Sequence, residues 1–160
     1  MKLLIPIQTS ETLQSIDLNT FIQKGIKLLL LDIDNTIIPR GDKQASQEIL
    51  DWLALAKQKG LYIALMSNNS RKLFPFLNNH ADLYHCLSLK PFSICYKRIM
   101  KKFEVSPTQT VMIGDQIFTD VLGANRLGIH SILVRRQKEY GKFTRKLLHR
   151  IEDKIWEKFD

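Results

Sequence analysis

From residue 18 onward the chain alternates short apolar runs with longer amphipathic segments. The apolar runs are apolar at consecutive positions, which is typical of strands buried on both faces. The amphipathic segments repeat apolar residues at three- or four-residue spacing, as one helix face requires. This order predicts an α/β fold with a parallel sheet of about five strands and helices on both faces. The predicted strands are 26–33, 61–66, 83–87, 110–113 and 131–134.

Capping residues indicate where several of the helices begin and end. Asp17 can cap the first helix, and Gly25, Gly60 and Gly128 follow the last helical residue of three predicted helices. The predicted helices are 18–24, 44–59, 71–79, 93–103, 119–127 and a basic amphipathic C-terminal helix, 143–159.

Length and composition favour one globular domain, 1–160, with 44% apolar and 25% charged residues. The apolar runs are too short to cross a bilayer, and Pro6 interrupts the start of the chain, so we expect no secretory signal. Cys86 and Cys95 match no zinc or redox spacing and are interpreted as reduced thiols. These features favour a cytoplasmic protein.

Polar side chains suited to metal or phosphate chemistry follow nearly every predicted strand. Because the carboxyl ends of parallel strands share one edge of the sheet, ligands bind there. An aspartate can attack phosphorus, and a second carboxyl can protonate the leaving oxygen. The acidic groups would repel a phosphate unless Mg²⁺ and a lysine supplied positive charge. The residues at the strand exits are Asp32, Asp34, Ser67, Asn68, Lys90, Asp115 and, five positions later, Asp120.

Four motifs in this order and spacing, DIDNTI, SNN, LKP and GDQIFTD, resemble those of the haloacid dehalogenase (HAD) superfamily of phosphohydrolases. The resemblance covers nearly the whole chain and implies a Rossmann-like fold. It implies that Asp32 is the nucleophile and a metal ligand. Asp34 would be the general acid and base, with its backbone carbonyl on the metal. Lys90 would neutralise charge, Asp115 would bind Mg²⁺, and Asp120 would hold the outer shell of the metal or the lysine.

The same resemblance gives Ser67 and the Asn68 amide to the transferring phosphoryl group, and Thr36 to the phosphate-binding loop. Asn35 stands where many members have Gly, and Asn is the least costly substitute if that position needs a positive φ. Taken singly, these residues also fit plain structural roles, such as loop formers, a surface lysine or a helix-capping acid. Their convergence favours the site.

The links after Asp34 and Lys90 are too short to fold a cap domain. An uncapped site is either open to bulky substrates or covered by a second copy of the chain. Within the superfamily, SNNSRK, LKPFSICYKRIMKKF and VMIGDQIFTDVLGANRLGIHSILV resemble the YqeG-type branch of subfamily IIIA, related to the mitochondrial phosphatidylglycerophosphatase. That similarity implies a lipid phosphate monoester as substrate.

Charge is concentrated late in the chain, whose 24 basic and 16 acidic residues give a net charge of +8. Residues 135–150 hold seven of the basic residues against Glu139 alone. In the helix 143–159 apolar residues recur every four positions from Phe143 to Phe159 with basic residues between them. Such a helix can lie peripherally on anionic lipid at the inner face of a membrane. Alternatively, its stripe packs against the sheet or a second subunit.

Three other functions fit parts of the pattern. A phosphatase for a soluble nucleotide or sugar phosphate would keep the same residues and change only the substrate. A basic nucleic-acid-binding module with little catalysis would use the late charge cluster, but no motif position is lost. A signalling receiver domain also phosphorylates an aspartate, and the acidic pair after the first predicted strand argues against it.

Overall fold

The sheet consists of six parallel strands in the order β1-β6-β5-β2-β3-β4. The structure, a computed structural model, describes residues 2–69, 74–137, 150, 152–154 and 156–157. The strands are β1 (Gln8–Ser10), β2 (Leu28–Asp32), β3 (Tyr62–Ser67), β4 (Leu83–Cys86), β5 (Thr110–Gly114) and β6 (His130–Val134).

Within the described part of residues 2–137, the chain also forms four α-helices and four other helical segments. The α-helices are α1 (Leu18–Gln23), α2 (Gln47–Gln58), α3 (Ser93–Lys102) and α4 (Leu122–Asn125). The 3₁₀ segments are Lys2–Leu4, Pro75–Asn79 and Pro107–Gln109, and Ile117–Val121 is a π-helix.

The predicted α/β class is confirmed, and five of the strands lie where the apolar runs placed them. The sixth, β1, was not predicted, because its residues Gln-Thr-Ser include no apolar side chain. It pairs with β6 at the edge of the sheet, where one face needs no continuous apolar surface. The predicted helix 119–127 is shorter than expected and begins as the π-helix.

The apolar run of β2 supplies both layers of the core. Leu29 and Leu31 pack in a cluster with residues of α1 and α2, and Leu28 and Leu30 pack in a second cluster with residues of α3. Successive side chains of a strand point to opposite faces, so a strand covered on both sides is apolar throughout. All five residues of β2 are buried.

Strand order reverses between β2 and β5. From β2 the chain proceeds to β3 and β4 on one side, and β5 and β6 lie on the other. Asp32 ends β2 and Asp115 directly follows β5, so both lie at the switch point, where open α/β sheets bind ligands. The links 33–46 and 87–92, which are described throughout, contain no inserted domain.

The predicted C-terminal helix, 143–159, lies largely outside the described residues, and so do the stripe residues Phe143, Leu147, Ile151, Ile155 and Phe159. Of its described part, Arg150, Glu152–Lys154 and Trp156 are helical. Trp156 is buried in a small cluster with residues of the π-helix and β6. The use of this helix on a membrane stays a prediction. Among the described helices, none has the length and apolar character needed to cross a bilayer.

Asn35 has a φ of 67°, so this position does need the left-handed conformation for which Asn is the least costly substitute for Gly. Its side-chain Oδ1 accepts a hydrogen bond from the Arg40 amide at 3.0 Å. Asn35→Ala should therefore lower the free energy of unfolding by about 2 kcal/mol, from left-handed strain and the lost bond. Asn35→Gly keeps the backbone freedom and should cost about half as much. Chemical denaturation measures both, and equal losses would contradict a conformational role.

Candidate active site

A buried lysine joins two aspartates from different strand exits. Lys90 Nζ lies 2.5 Å from Asp32 Oδ1 and 2.7 Å from Asp120 Oδ1. It also lies 3.4 Å from the carbonyl oxygen of Met66. All three charged side chains are almost fully buried. The ion pairs therefore hold the exits of β2, β4 and β5 together in a medium where charge is weakly screened.

Asp115 adds a third carboxylate to the same point. Oxygen atoms of Asp32, Asp115 and Asp120 all lie within 4.8 Å of one another. Among the described residues, Asp32 Oδ2 and both Asp115 oxygens are buried without a hydrogen-bond partner. Buried carboxylate oxygens without donors are costly, and oxygen ligands are what hard divalent cations prefer. The three residues therefore fit a divalent metal ion.

Burial and the excess of nearby negative charge raise the pKa values of these carboxyls. Burial and, to a lesser extent, the neighbouring Asp120 carboxylate raise the pKa of Asp32 to about 7 against the opposing effect of Lys90. Burial also raises the pKa of Asp115 well above its usual range, with Asp32 and Asp120 adding to the shift. For Lys90, burial lowers the pKa, but Asp120 and Asp32 outweigh this and raise it above its ordinary value. Lys90 is therefore a permanent cation.

Gly114 allows Asp120 to reach the lysine. A Cβ atom at position 114 would lie far inside van der Waals contact with Asp120 Oδ2. Asp120 Oδ2 also accepts a hydrogen bond from the Gln116 amide at 3.1 Å. The Gly-Asp pair at the end of β5 thus leaves space for the second acid of the motif, five residues later.

The exit of β3 is tied to the segment that carries Lys90. Asn68 Nδ2 donates to the Lys90 carbonyl at 3.0 Å, and its Oδ1 accepts from the Lys90 amide at 2.8 Å. Ser67 is buried, and its Oγ accepts from the Asn69 amide at 3.0 Å. Sequence reasoning assigned Asn68 only a backbone role at the phosphate. Its side chain positions the lysine.

Asp34 and Thr36 occupy the loop after β2. Asp34 is half-buried and lies outside the group of three carboxylates that could share a metal. The expected contact of its backbone carbonyl with the metal stays a prediction. The Thr36 hydroxyl is buried without a partner among the described residues, and Gln137 Nε2 donates to the Thr36 carbonyl at 3.3 Å.

Glu152 is the site residue that sequence reasoning missed. Its Oε1 accepts from the Ile117 amide at 2.9 Å, and its Oε2 lies 3.2 Å from Arg136 Nη2. Burial raises its pKa to about 7. The hydrogen bond from the Ile117 amide to Glu152 holds the segment between Asp115 and Asp120 in place. A cavity of about 300 Å³ lies between Asp115, Arg136 and Glu152. No local pattern singled it out, because it lies four positions before Trp156 in a stretch, 151–160, that has four acidic and two basic residues.

Comparison with known proteins agrees with this geometry. A family model described as HAD-hydrolase-like matches residues 89–155. The "probable phosphatase YqeG" of Bacillus subtilis is 27% identical over 134 residues, which cover 83% of this chain and 78% of that protein. The chain is therefore similar to HAD-superfamily phosphatases, and to the YqeG type in particular. These similarities support the expected enzyme class, a HAD-type phosphatase.

Solved HAD structures share the fold. A HAD phosphatase from Thermococcus onnurineus superposes with a TM-score of 0.62 at 15% identity, covering 72% of this chain and 89% of that one. A cobalt-bound deoxy-D-mannose-octulosonate 8-phosphate phosphatase from Haemophilus influenzae gives 0.53 at 17% identity, covering 69% of each chain. These likenesses support the Rossmann-like HAD architecture.

Metal binding should depend on pH through the buried carboxyls. Because the folded-state pKa values of Asp32 and Asp115 are raised, the metal-free protein loses stability as the pH rises from 3.8 through about 7. A divalent cation binds the ionised carboxylates. Mg²⁺ should therefore raise the midpoint of thermal unfolding more at pH about 8 than at pH about 5.

Asp115→Asn is the matched test, because it removes one buried charge. Its metal-free form should unfold a few degrees above metal-free wild type at pH about 8 and should lose most of the Mg²⁺ response. Glu48→Gln removes an exposed carboxylate at the start of α2 and should change neither quantity. An undiminished Mg²⁺ response in Asp115→Asn would contradict the assignment.

Proposed function

We propose that this HAD-type protein is a Mg²⁺-dependent phosphomonoesterase that works through an aspartyl-phosphate on Asp32. One observation carries the proposal. At the switch point of the sheet, four buried charged side chains lie next to one another: Asp32, Asp115, Asp120 and Lys90. Three carboxylates and one ammonium leave an excess of negative charge. A divalent cation would offset this excess and admit a phosphate.

In the first step, an Asp32 carboxylate oxygen forms a bond to phosphorus as the ester P–O bond breaks. The leaving oxygen takes the proton of the Asp34 carboxyl, so an alcohol departs and Asp34 becomes a carboxylate. Asp32 Oδ1 is held by Lys90, whereas Oδ2 has no partner among the described residues. The side chain is thus oriented before the substrate binds.

In the second step, Asp34 accepts a proton from water as the water oxygen bonds to phosphorus. The P–O bond to Asp32 breaks, which releases inorganic phosphate and restores both carboxyl groups. Mg²⁺, held by Asp32, Asp115 and the Asp34 carbonyl, would supply positive charge to the phosphoryl oxygens. Ser67 and the Asn68 amide would bind the same oxygens, and Asp120 would keep Lys90 in place.

For the substrate, we favour a lipid phosphate monoester, with phosphatidylglycerophosphate as the first candidate. Two observations support a bulky substrate: the motif strings resemble the YqeG-type branch, and the described links 33–46 and 87–92 form no cap over the site. This choice places the protein in phospholipid biosynthesis, in the cytoplasm and peripherally on the inner membrane face.

A soluble phosphate monoester is the second candidate. The same observation supports it, because the described links 33–46 and 87–92 form no cap that would exclude a small substrate. The nucleic-acid-binding alternative draws no support from the described site. The four charged groups of the site are buried and arranged around one point, whereas nucleic-acid affinity needs exposed basic side chains.

Asp32→Asn should abolish release of phosphate from an aryl phosphate in the presence of Mg²⁺, because the amide cannot form the acyl phosphate. Asp34→Asn should lower kcat by at least about a hundredfold while leaving phosphorylation of Asp32 possible. Colorimetric phosphate release measures both variants. Retention of most activity in Asp32→Asn would contradict the mechanism.

The substrate class is tested by comparing phosphatidylglycerophosphate in mixed micelles with soluble nucleotide and sugar phosphates under the same Mg²⁺ concentration. We expect kcat/KM for the lipid to exceed that for the soluble esters by roughly a hundredfold or more, since remote binding energy is used in the transition state. Equal values, or a preference for a soluble ester, would favour the second candidate.

A further inference from the structure

The segment that carries Lys90 also displays four large apolar side chains to solvent. Leu87, Leu89, Phe92 and Ile94 are 54%, 63%, 63% and 61% exposed, and we call them the apolar tip. The tip occupies eight consecutive positions between β4 and the first turn of α3. Single exposed apolar residues are ordinary, but four together mark an interaction surface.

Backbone hydrogen bonds hold the tip outward. The Ser88 amide donates to the Ser67 carbonyl at 2.9 Å, and the side chain of Asn68 bonds both backbone groups of Lys90. Ser88 and Lys90 are buried, so the alternate residues Leu87 and Leu89 face away from the protein.

The two leucines have φ values of 52° and 50°. That region is unfavourable for a residue with a Cβ, and such strain persists only where the surroundings impose it. The exposed leucines are therefore presented in one fixed arrangement by the same bonds that position Lys90. An apolar surface that is already ordered loses little entropy when it docks.

A basic face continues directly from the tip. Lys97, Arg98, Lys101 and Lys102 are exposed on α3, on the same side of the helix as Ile94. At about 1.5 Å per residue, the first two lie roughly 5 Å from Ile94 along the helix axis and the last two roughly 11 Å. Residues 87–103 contain no acidic side chain. We call these four residues the basic face.

We propose that the apolar tip and the basic face together dock on the surface of an anionic lipid bilayer. Apolar side chains at a tip would enter the acyl boundary, while basic residues within about one Debye length would lie among anionic headgroups. A protein partner of opposite charge would need an acidic surface around an apolar pocket, whereas anionic lipid supplies both features at every position.

This arrangement explains why the surface adjoins the active site. Lys90 lies between Leu89 and Phe92 in the chain, so docking of the tip would bring the loop that carries the active-site lysine to the headgroup layer. The inference rests on the proposed function for its purpose, namely access to a lipid phosphate. Vesicle binding requires no turnover, however, so binding can fail while Asp32-dependent hydrolysis stands, and the reverse.

The test is cosedimentation of the full chain with vesicles made of equal parts phosphatidylglycerol and phosphatidylcholine, or of phosphatidylcholine alone. Wild type should bind the anionic vesicles. Phe92→Ser with Ile94→Gln should weaken binding roughly tenfold or more, because two largely exposed apolar side chains are lost. Serine is favoured at the N-cap position that Phe92 occupies, so this variant should fold, and it should keep wild-type hydrolysis of an aryl phosphate.

Leu55→Gln is the matched control, since Leu55 is 44% exposed on α2, and α2 packs on the opposite face of the sheet from α3. It should bind vesicles like wild type. Lys97→Glu with Arg98→Glu should also weaken binding at least tenfold, and only to the anionic vesicles.

Three results would overturn the proposal. One is no binding by wild type, and a second is undiminished binding by both the tip variant and the charge variant. The third is a wild-type dimer in sedimentation velocity that the tip variant abolishes, which would assign the surface to a second copy of the chain.

Discussion

One buried ammonium group, that of Lys90, underlies the arrangement of the whole site. It lies between Asp32 and Asp120, so three loops that are far apart in the sequence share a single positive charge. Removing one member of a buried ion pair leaves an uncompensated charge, which typically costs several kcal/mol. The loops after β2, β4 and β5 are consequently fixed relative to one another by charge as much as by the sheet beneath them.

The Lys90 ammonium does not neutralise the negative charge of the site. Asp115 brings a third carboxylate, and the pKa values of Asp32 and Asp115 are raised because burial and mutual repulsion disfavour their ionised forms. A site of this kind is poised to take up a divalent cation and a phosphoryl group, since the cation offsets the repulsion that otherwise excludes the anion. The buried carboxylates thus lower the free energy of unfolding of the metal-free protein and favour binding of the cation. This combination is common where residues with perturbed pKa values cluster.

Much of this was predictable from the sequence, for physical reasons. The apolar runs located five strands, and polar residues after consecutive strands must meet at one edge of a parallel sheet. Asn is the least costly substitute for Gly at a position that needs a positive φ, and Asn35 has one. By contrast, β1 carries no apolar side chain, and apolar spacing does not distinguish the π-helix Ile117–Val121 from the start of an α-helix.

Glu152 and the apolar tip were beyond sequence reasoning for another reason. The role of Glu152 comes from a tertiary contact with the Ile117 amide, and nothing local to residue 152 encodes that contact. The exposure of Leu87 and Leu89 follows from left-handed backbone that leucine rarely adopts, so a pattern of apolar residues predicts burial there. In both cases the question is which way a side chain points. The spacing of apolar residues does not determine this when the segment that it contacts is distant in the sequence.

Chemical trapping of the phosphoenzyme tests the nucleophilic role of Asp32 more directly than activity measurements do. Borohydride reduces an aspartyl-phosphate to homoserine, and peptide mass spectrometry then locates the modified position. With a phosphate monoester and Mg²⁺ present, we expect homoserine at residue 32, and none when either is omitted. Modification at another residue, or substrate turnover with residue 32 unmodified, would contradict it.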